Sequence, residues 1–150
     1  MTPDTTDPVV PAGVTVQTYR LLRTGDQPLA FEGVLLADAS GPRINGTERN
    51  RGHDIRIYRT RGGTHVIELV YWTTWKGEAE IRRVQVLGRE VRQIPAALKL
   101  YDPILPVHGY PAAERFAARQ ARLFAEIRAD YETRVSDVLT QVPDVVERIE

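Results

Sequence analysis

Residues 55–74 read Ile55-Arg-Ile-Tyr-Arg-Thr-Arg-Gly-Gly-Thr-His-Val-Ile-Glu-Leu-Val-Tyr-Trp-Thr-Thr74, two β-rich runs with Gly62-Gly63 between them. β-Branched and aromatic residues interrupted by a glycine pair predict a β-hairpin. Loop length decides which side chains share a face, because a slip of one residue inverts both faces. A two-residue Gly62-Gly63 loop would set Ile57 opposite Glu68 and Arg56 opposite Leu69. A three-residue Arg61-Gly62-Gly63 loop sets Ile57 opposite Ile67, Ile55 opposite Leu69, Arg56 opposite Glu68 and Tyr58 opposite Val66. The second register yields one apolar face and one cross-strand ion pair, and it is the one expected. A left-handed glycine closing a small bulge suits such a loop. The predicted inner face is Ile55, Ile57, Ile67, Leu69 and Tyr71, whose opposed pairs contribute roughly 0.2–1 kcal/mol each.

Working outward, Val14–Arg23 and Leu29–Ala39 read as strands on either side of a turn, Thr24–Pro28. In the second strand Phe31, Gly33, Leu35 and Ala37 are expected on one face. Both faces of that strand are largely apolar, as in a central strand covered on each side. Gly33 marks a bulge or the close approach of another backbone. Residues 40–52 are polar and glycine-rich, a long basic loop carrying Arg43, Arg49 and Arg51. Beyond the hairpin, Ala79–Leu87 reads as a fifth strand. Its apolar side switches at Arg82-Arg83, which predicts a bend there. Residues 89–110 are expected to lie across the body as a proline-rich strap, with a short helix over 94–100 that has Pro95 at its first position.

Pro111 to about Gln141 reads as one long helix. Positions 116, 120, 123, 127, 131, 135, 138 and 142 recur on average about every 3.7 residues, a core-facing period rather than the 3.5 of a coiled coil. At about 1.5 Å per residue the helix would run roughly 46 Å, longer than a small sheet is wide. It should therefore bend, break or project toward a second subunit. Arg115, Arg119 and Arg122 form a basic stripe on it, and Glu126 is placed to pair with Arg122. The fold expected is α+β: an antiparallel sheet of about five strands (14–23, 29–39, 53–60, 64–73 and 79–87) with the C-terminal helix packed on one face. Residues 1–13 form a lead-in with little to bury. Residues 14–150 form one domain: sheet to 88, strap to 110, helical tail to 150.

Composition excludes some chemistry. The 150-residue chain has no cysteine, which rules out disulfides, thiolate zinc sites and cysteine nucleophiles. The acidic, proline-rich start does not read as a signal peptide, and no apolar run is long enough to span a bilayer as a helix. Charge is uneven: −3 over residues 1–40, +6 over 41–99 and −3 over 100–150. A basic sheet can bind a polyanion or simply attract an acidic helix. His53, His65 and His108 show no ligand spacing, and no nucleophile elbow, phosphate-binding loop or zincin motif is present. Glu78 and Glu80 read as a solvated strand end. No catalytic residue, metal or cofactor is expected.

The stretch Ile57-Tyr58-Arg59-Thr60-Arg61-Gly62-Gly63-Thr64-His65-Val66, followed by a strand and a tryptophan, resembles the β-rich part of the small bacterial EXLDI proteins. Phe31-Glu32-Gly33-Val34-Leu35-Leu36-Ala37 is also similar to that pattern. The resemblance covers under half of the chain. The family's ribbon-helix-helix-like start and naming motif have no counterpart in this sequence. It implies a bacterial, cytoplasmic protein and no particular activity.

Three functional classes follow. The first is a non-enzymatic protein-interaction or assembly module, forming homodimers through Phe124, Tyr131, Val135, Val138 and Leu139 of the long helix. The alternative is a nucleic-acid-binding accessory protein using Arg56, Arg59, Arg61, Trp72, Trp75, Lys76, Arg82, Arg83 and the 40–52 loop. The third is a small-ligand-binding protein or enzyme with a pocket between sheet and helix. That class calls for an apolar pocket lined by converging polar groups.

Overall fold

The computed structural model describes residues 15–41, 50–107, 114–143 and 145. Five strands follow one another in a meander, β1 (Gln17–Arg23), β2 (Asp26–Ala39), β3 (Arg51–Thr60), β4 (His65–Thr73) and β5 (Ile81–Val86). Two helices follow, α1 (Gln93–Leu100) and α2 (Ala117–Gln141), the second preceded by a 3-10 turn at Glu114–Phe116. The architecture is α+β, as the sequence predicts.

The hairpin takes the three-residue register. Ile55 faces Leu69, Arg56 faces Glu68, Ile57 faces Ile67 and Tyr58 faces Val66. Thr60 N–H donates to Thr64 O at 2.8 Å, and Gly63 closes the loop with φ 96°. The side chains of β3 and β4 divide between two apolar layers, one on each face of the sheet. On one face Ile55, Ile57, Ile67 and Leu69 pack with Ile94, Ala97 and Leu98 of α1 and with Tyr131 and Val138 of α2. On the other, Leu21, Tyr58 and Val66 pack with Tyr19, Leu29, Phe31 and Val84, drawing on all five strands. Residues from β1 and β5 can share that cluster because the sheet curls. Its two edges meet at a corner, where Thr24 N–H donates to Arg82 O at 2.9 Å and Arg82 N–H donates to Thr24 Oγ1 at 2.8 Å. A right-handed twist accumulated over five strands is what brings outer strands together.

Several local expectations are corrected. The first turn is only Thr24-Gly25, with Gly25 at φ 78°, and β2 begins at Asp26. Pro28 fits within β2 because that end pairs with β1 alone; pairing with β3 starts at Gly33. A register shift between Leu35 and Ala37 separates the side chains expected on one face. Leu35 lies opposite Tyr58, whereas Ala37 joins Ile57 under the helices. Gly33 is a close approach, since a Cβ there would stand 2.2 Å from Arg59 O. β5 pairs with β4 in continuous register, so no bulge accompanies its apolar switch. β3 starts at Arg51, which is therefore a strand residue and not part of a flap. The helix α1 begins two residues before the predicted start, at Gln93. Residues 1–14, 42–49 and 108–113, with His108 and Pro111, lie outside the described residues. The strap does lie on the body, with Pro103 and Pro106 buried.

The predicted stripe of α2 faces the sheet, with Ile127, Tyr131, Val138 and Val142 buried. The helix packs over β2 and β3. From Ala117 to Glu126 no residue is buried. Gly33→Ala should drive a methyl group into the β3 backbone and cost about 2–3 kcal/mol. Urea unfolding of the variant measures that loss, and a shift of the midpoint within error would contradict the tight β2–β3 approach.

Candidate functional site

The start of β3 enters a region covered on both faces, so its polar side chains need internal partners. Arg51 finds Glu78: Nε donates to Oε1 at 2.9 Å and the terminal nitrogen Nη2 donates to Oε2 at 3.0 Å. Tyr71 Oη donates to the same carboxylate at 2.5 Å, and the Arg51 guanidinium lies 5.0 Å from the Trp75 ring centroid. The Arg51 and Glu78 side chains are 4% and 0% exposed. Burial alone would lower the Arg51 pKa, but the Glu78 hydrogen bonds outweigh it and raise it. Burial would likewise raise Glu78, yet Arg51 and Tyr71 hold it below the usual carboxylate range. Glu78 is thus a buried anchor and not the solvated strand end expected.

Two residues on, His53 is fully buried. Its ring lies 5.3 Å from each of Tyr71, Tyr101 and Tyr131, which come from β4, the end of α1 and α2. Its Nε2 pairs with Tyr101 Oη at 2.8 Å, and its Nδ1 has no hydrogen-bond partner among the described residues. Tyr131 Oη donates to Leu98 O at 2.6 Å, tying α2 to α1. Burial lowers the His53 pKa from 6.5 to about 4. His65, expected to be solvated, is also buried; its Nδ1 lies 3.2 Å from Gly88 O and Arg59 Nε donates to its Nε2 at 3.4 Å.

Beside this aromatic box, between the start of β3 and α2, is a cleft of about 360 Å³. Its apolar lining includes Trp72, Leu123, Ile127 and Ala129, and its polar lining includes Asn50, Arg51, Glu126, Asp130, Thr133 and Arg134. The α2 residues recur at three- and four-residue spacing, one face of the helix. Asp130 bridges to the sheet, accepting from His53 N–H at 3.4 Å. Trp72 is buried over Gly52, where a Cβ would meet the indole at 2.6 Å. Gly41 admits Arg134 and Asp130 together, since a Cβ there would stand 2.8 Å from Arg134 Nη1 and 3.4 Å from Asp130 Oδ1.

Arg134 is nine-tenths buried, and the sequence reading missed it. It falls within the apolar stripe, three residues after Tyr131 and four before Val138. That spacing is the signal that could have found it. Glu126, expected to pair with Arg122, forms no ion pair among the described residues.

The other sequence-predicted residues are placed as follows. Tyr131, Val135, Val138 and Leu139 pack into the chain's own core, and Phe124 is half-buried on the first half of α2. The residues proposed for nucleic acid do not converge. By register Arg56 and Arg82 stand on the face opposite the helices, Arg59 and Arg83 on the helix-covered face, and Trp72 lines the cleft. Arg61 is at the hairpin tip, while Trp75 and Lys76 are in the turn at the opposite end. Arg56 pairs with Asp38 and Glu68, Arg61 with Glu32 and Arg82 with Glu80. No cluster of side chains suited to a metal occurs among the described residues. No helix among them is long and apolar enough to cross a membrane. No known protein family, curated protein or solved structure matches this chain.

Buried neutral, His53 makes the fold acid-sensitive. Above about pH 6.5 it is uncharged in both folded and unfolded chains, and stability is fully present. As pH falls from 6.5 toward 4 the unfolded chain gains the proton first, and stability drains away. Between pH 7.5 and 5 the loss should be about 2 kcal/mol from His53, with His65 adding in the same direction. Urea unfolding at the two pH values measures it, and His53→Phe should flatten the difference.

Proposed function

We propose that this protein binds a small molecule in the cleft between the start of β3 and α2. The observation that carries the reading is the cleft itself. At about 360 Å³ it lies in the size range of small-ligand sites, and apolar walls meet converging polar groups there. The surroundings support it. The Arg51–Glu78–Tyr71 cluster and the His53 box fix both ends of the β3 wall, as a preorganised site requires. The mixed lining of two cations and two anions does not favour a polyanion, so nucleic acid is not the partner this geometry suits best.

A second reading, pairing of two copies, is favoured by one observation: α2 has no buried residue from Ala117 to Glu126. Pairing there would use Phe124, because Tyr131 and Val138 are already covered.

A fragment library screened by ligand-observed NMR tests the first reading, with light scattering reporting the mass. Hits are expected, and Ala129→Trp, which fills the cleft from an exposed helix position, should weaken them at least about tenfold, as loss of a buried contact of about 1.4 kcal/mol would. Hits that ignore this substitution, or none at all, would overturn the small-molecule reading. A salt-resistant dimer broken by Phe124→Glu would support the second.

A further inference from the structure

We infer, building on the small-molecule reading, that the cleft takes a small zwitterion of the α-amino-acid type with an apolar side chain, its carboxylate on Arg134 and its ammonium on Asp130 and Glu126. Four charged side chains line the cleft, and they are not equally engaged. Arg51 is neutralised by Glu78 through three hydrogen-bonded contacts. Among the described residues Arg134 makes no side-chain hydrogen bond, and its Nε is buried without a hydrogen-bond partner. Its one ion-pair contact among the described residues is with Asp137, 3.8 Å away and 53% exposed. A guanidinium nine-tenths buried and this poorly satisfied destabilises the empty protein, and an incoming carboxylate would meet its planar fork of donors.

Among the described residues Asp130 and Glu126 have no cation in salt-bridge reach. Arg134, Asp130 and Glu126 stand on successive turns of α2, about 6 Å apart along the axis. Asp130 and Arg134 are one turn apart and yet do not pair. Asp130 is held toward the sheet by His53 N–H, and Arg134 lies over Gly41 and leans on Asp137. Two opposite charges kept separate on one wall match a molecule whose own opposite charges sit on one carbon. Leu123, Ile127 and Trp72 then receive its apolar part. The cleft is at the small end of ligand sites, which fits a single amino acid better than a nucleotide or a peptide.

Calorimetry on the full chain with three matched probes separates this idea from the general one. The probes are L-leucine, 3-methylbutylamine and 4-methylpentanoate. L-Leucine should bind at least about tenfold more tightly than either single-charge probe. Arg134→Gln should erase the preference for leucine over the amine, and Asp130→Asn the preference for leucine over the acid. Arg134→Met, which removes the poorly satisfied charge, should melt about 2–4 °C higher than the parent without ligand. A structural role for Arg134 would instead lower the melting point. If leucine binds no better than the single-charge probes while fragments still lose affinity in Ala129→Trp, the zwitterion is wrong and the cleft survives. If leucine and fragments alike ignore Ala129→Trp, both fail.

Discussion

Burial of β3 and β4 on both faces is the constraint on which the rest of this structure depends. Every polar side chain in that pair has to be satisfied from within, because water is excluded on both sides. On the face opposite the helices Tyr58 Oη donates to Glu68 at 2.8 Å, and Arg56 approaches the same carboxylate at 3.7 Å. On the helix side His53 meets Tyr101, and Arg51 meets Glu78 and Tyr71. These partners come from β4, the turn before β5 and the end of α1. The polar groups of one strand thereby hold together elements distant in sequence. They also specify the register as firmly as the isoleucines do, since a slip by one residue would bury Arg56 and Glu68 under the helices.

The cleft grows out of that arrangement. β3 is locked from behind by a bidentate ion pair and from below by an aromatic box, so its first residues present a fixed wall. α2 lies across β2 and β3, and its turns carry Asp130, Arg134 and Tyr131 to the same end of the sheet. Asp130 belongs to both systems: it lines the cleft and accepts from the backbone of the buried histidine strand. The protonation state of the core and the chemistry of the cleft are therefore neighbours.

What could be read from the chain depended on whether the signal was local. The hairpin register followed from alternation and loop length, and the α2 stripe from its period. The faces of β2 did not, because the shift between Leu35 and Ala37 resets the alternation partway along the strand. Glu78 reads as a solvated strand end because its partner Arg51 is twenty-seven residues away, in a stretch whose composition reads as loop. His65 is adjacent to a hairpin turn, yet Gly88 closes over it. A pocket between sheet and helix is only the third of the classes the sequence suggests, and nothing in the sequence marks the acidic residues or Arg134 as lining it. Their role depends on which side of α2 meets β3, and the sequence does not contain that distance.

The corner contact between Thr24 and Arg82 has one more consequence. Each strand runs antiparallel to its neighbour, so β1 and β5 point the same way, and they join at one end only. The free backbone edges are consequently bent around toward each other instead of being displayed along a flat border. Another chain cannot easily extend such a sheet by adding a strand, because it would have to follow the curl and displace the corner bonds. A meander with two apolar faces is thereby guarded against stacking into fibres by its own curvature.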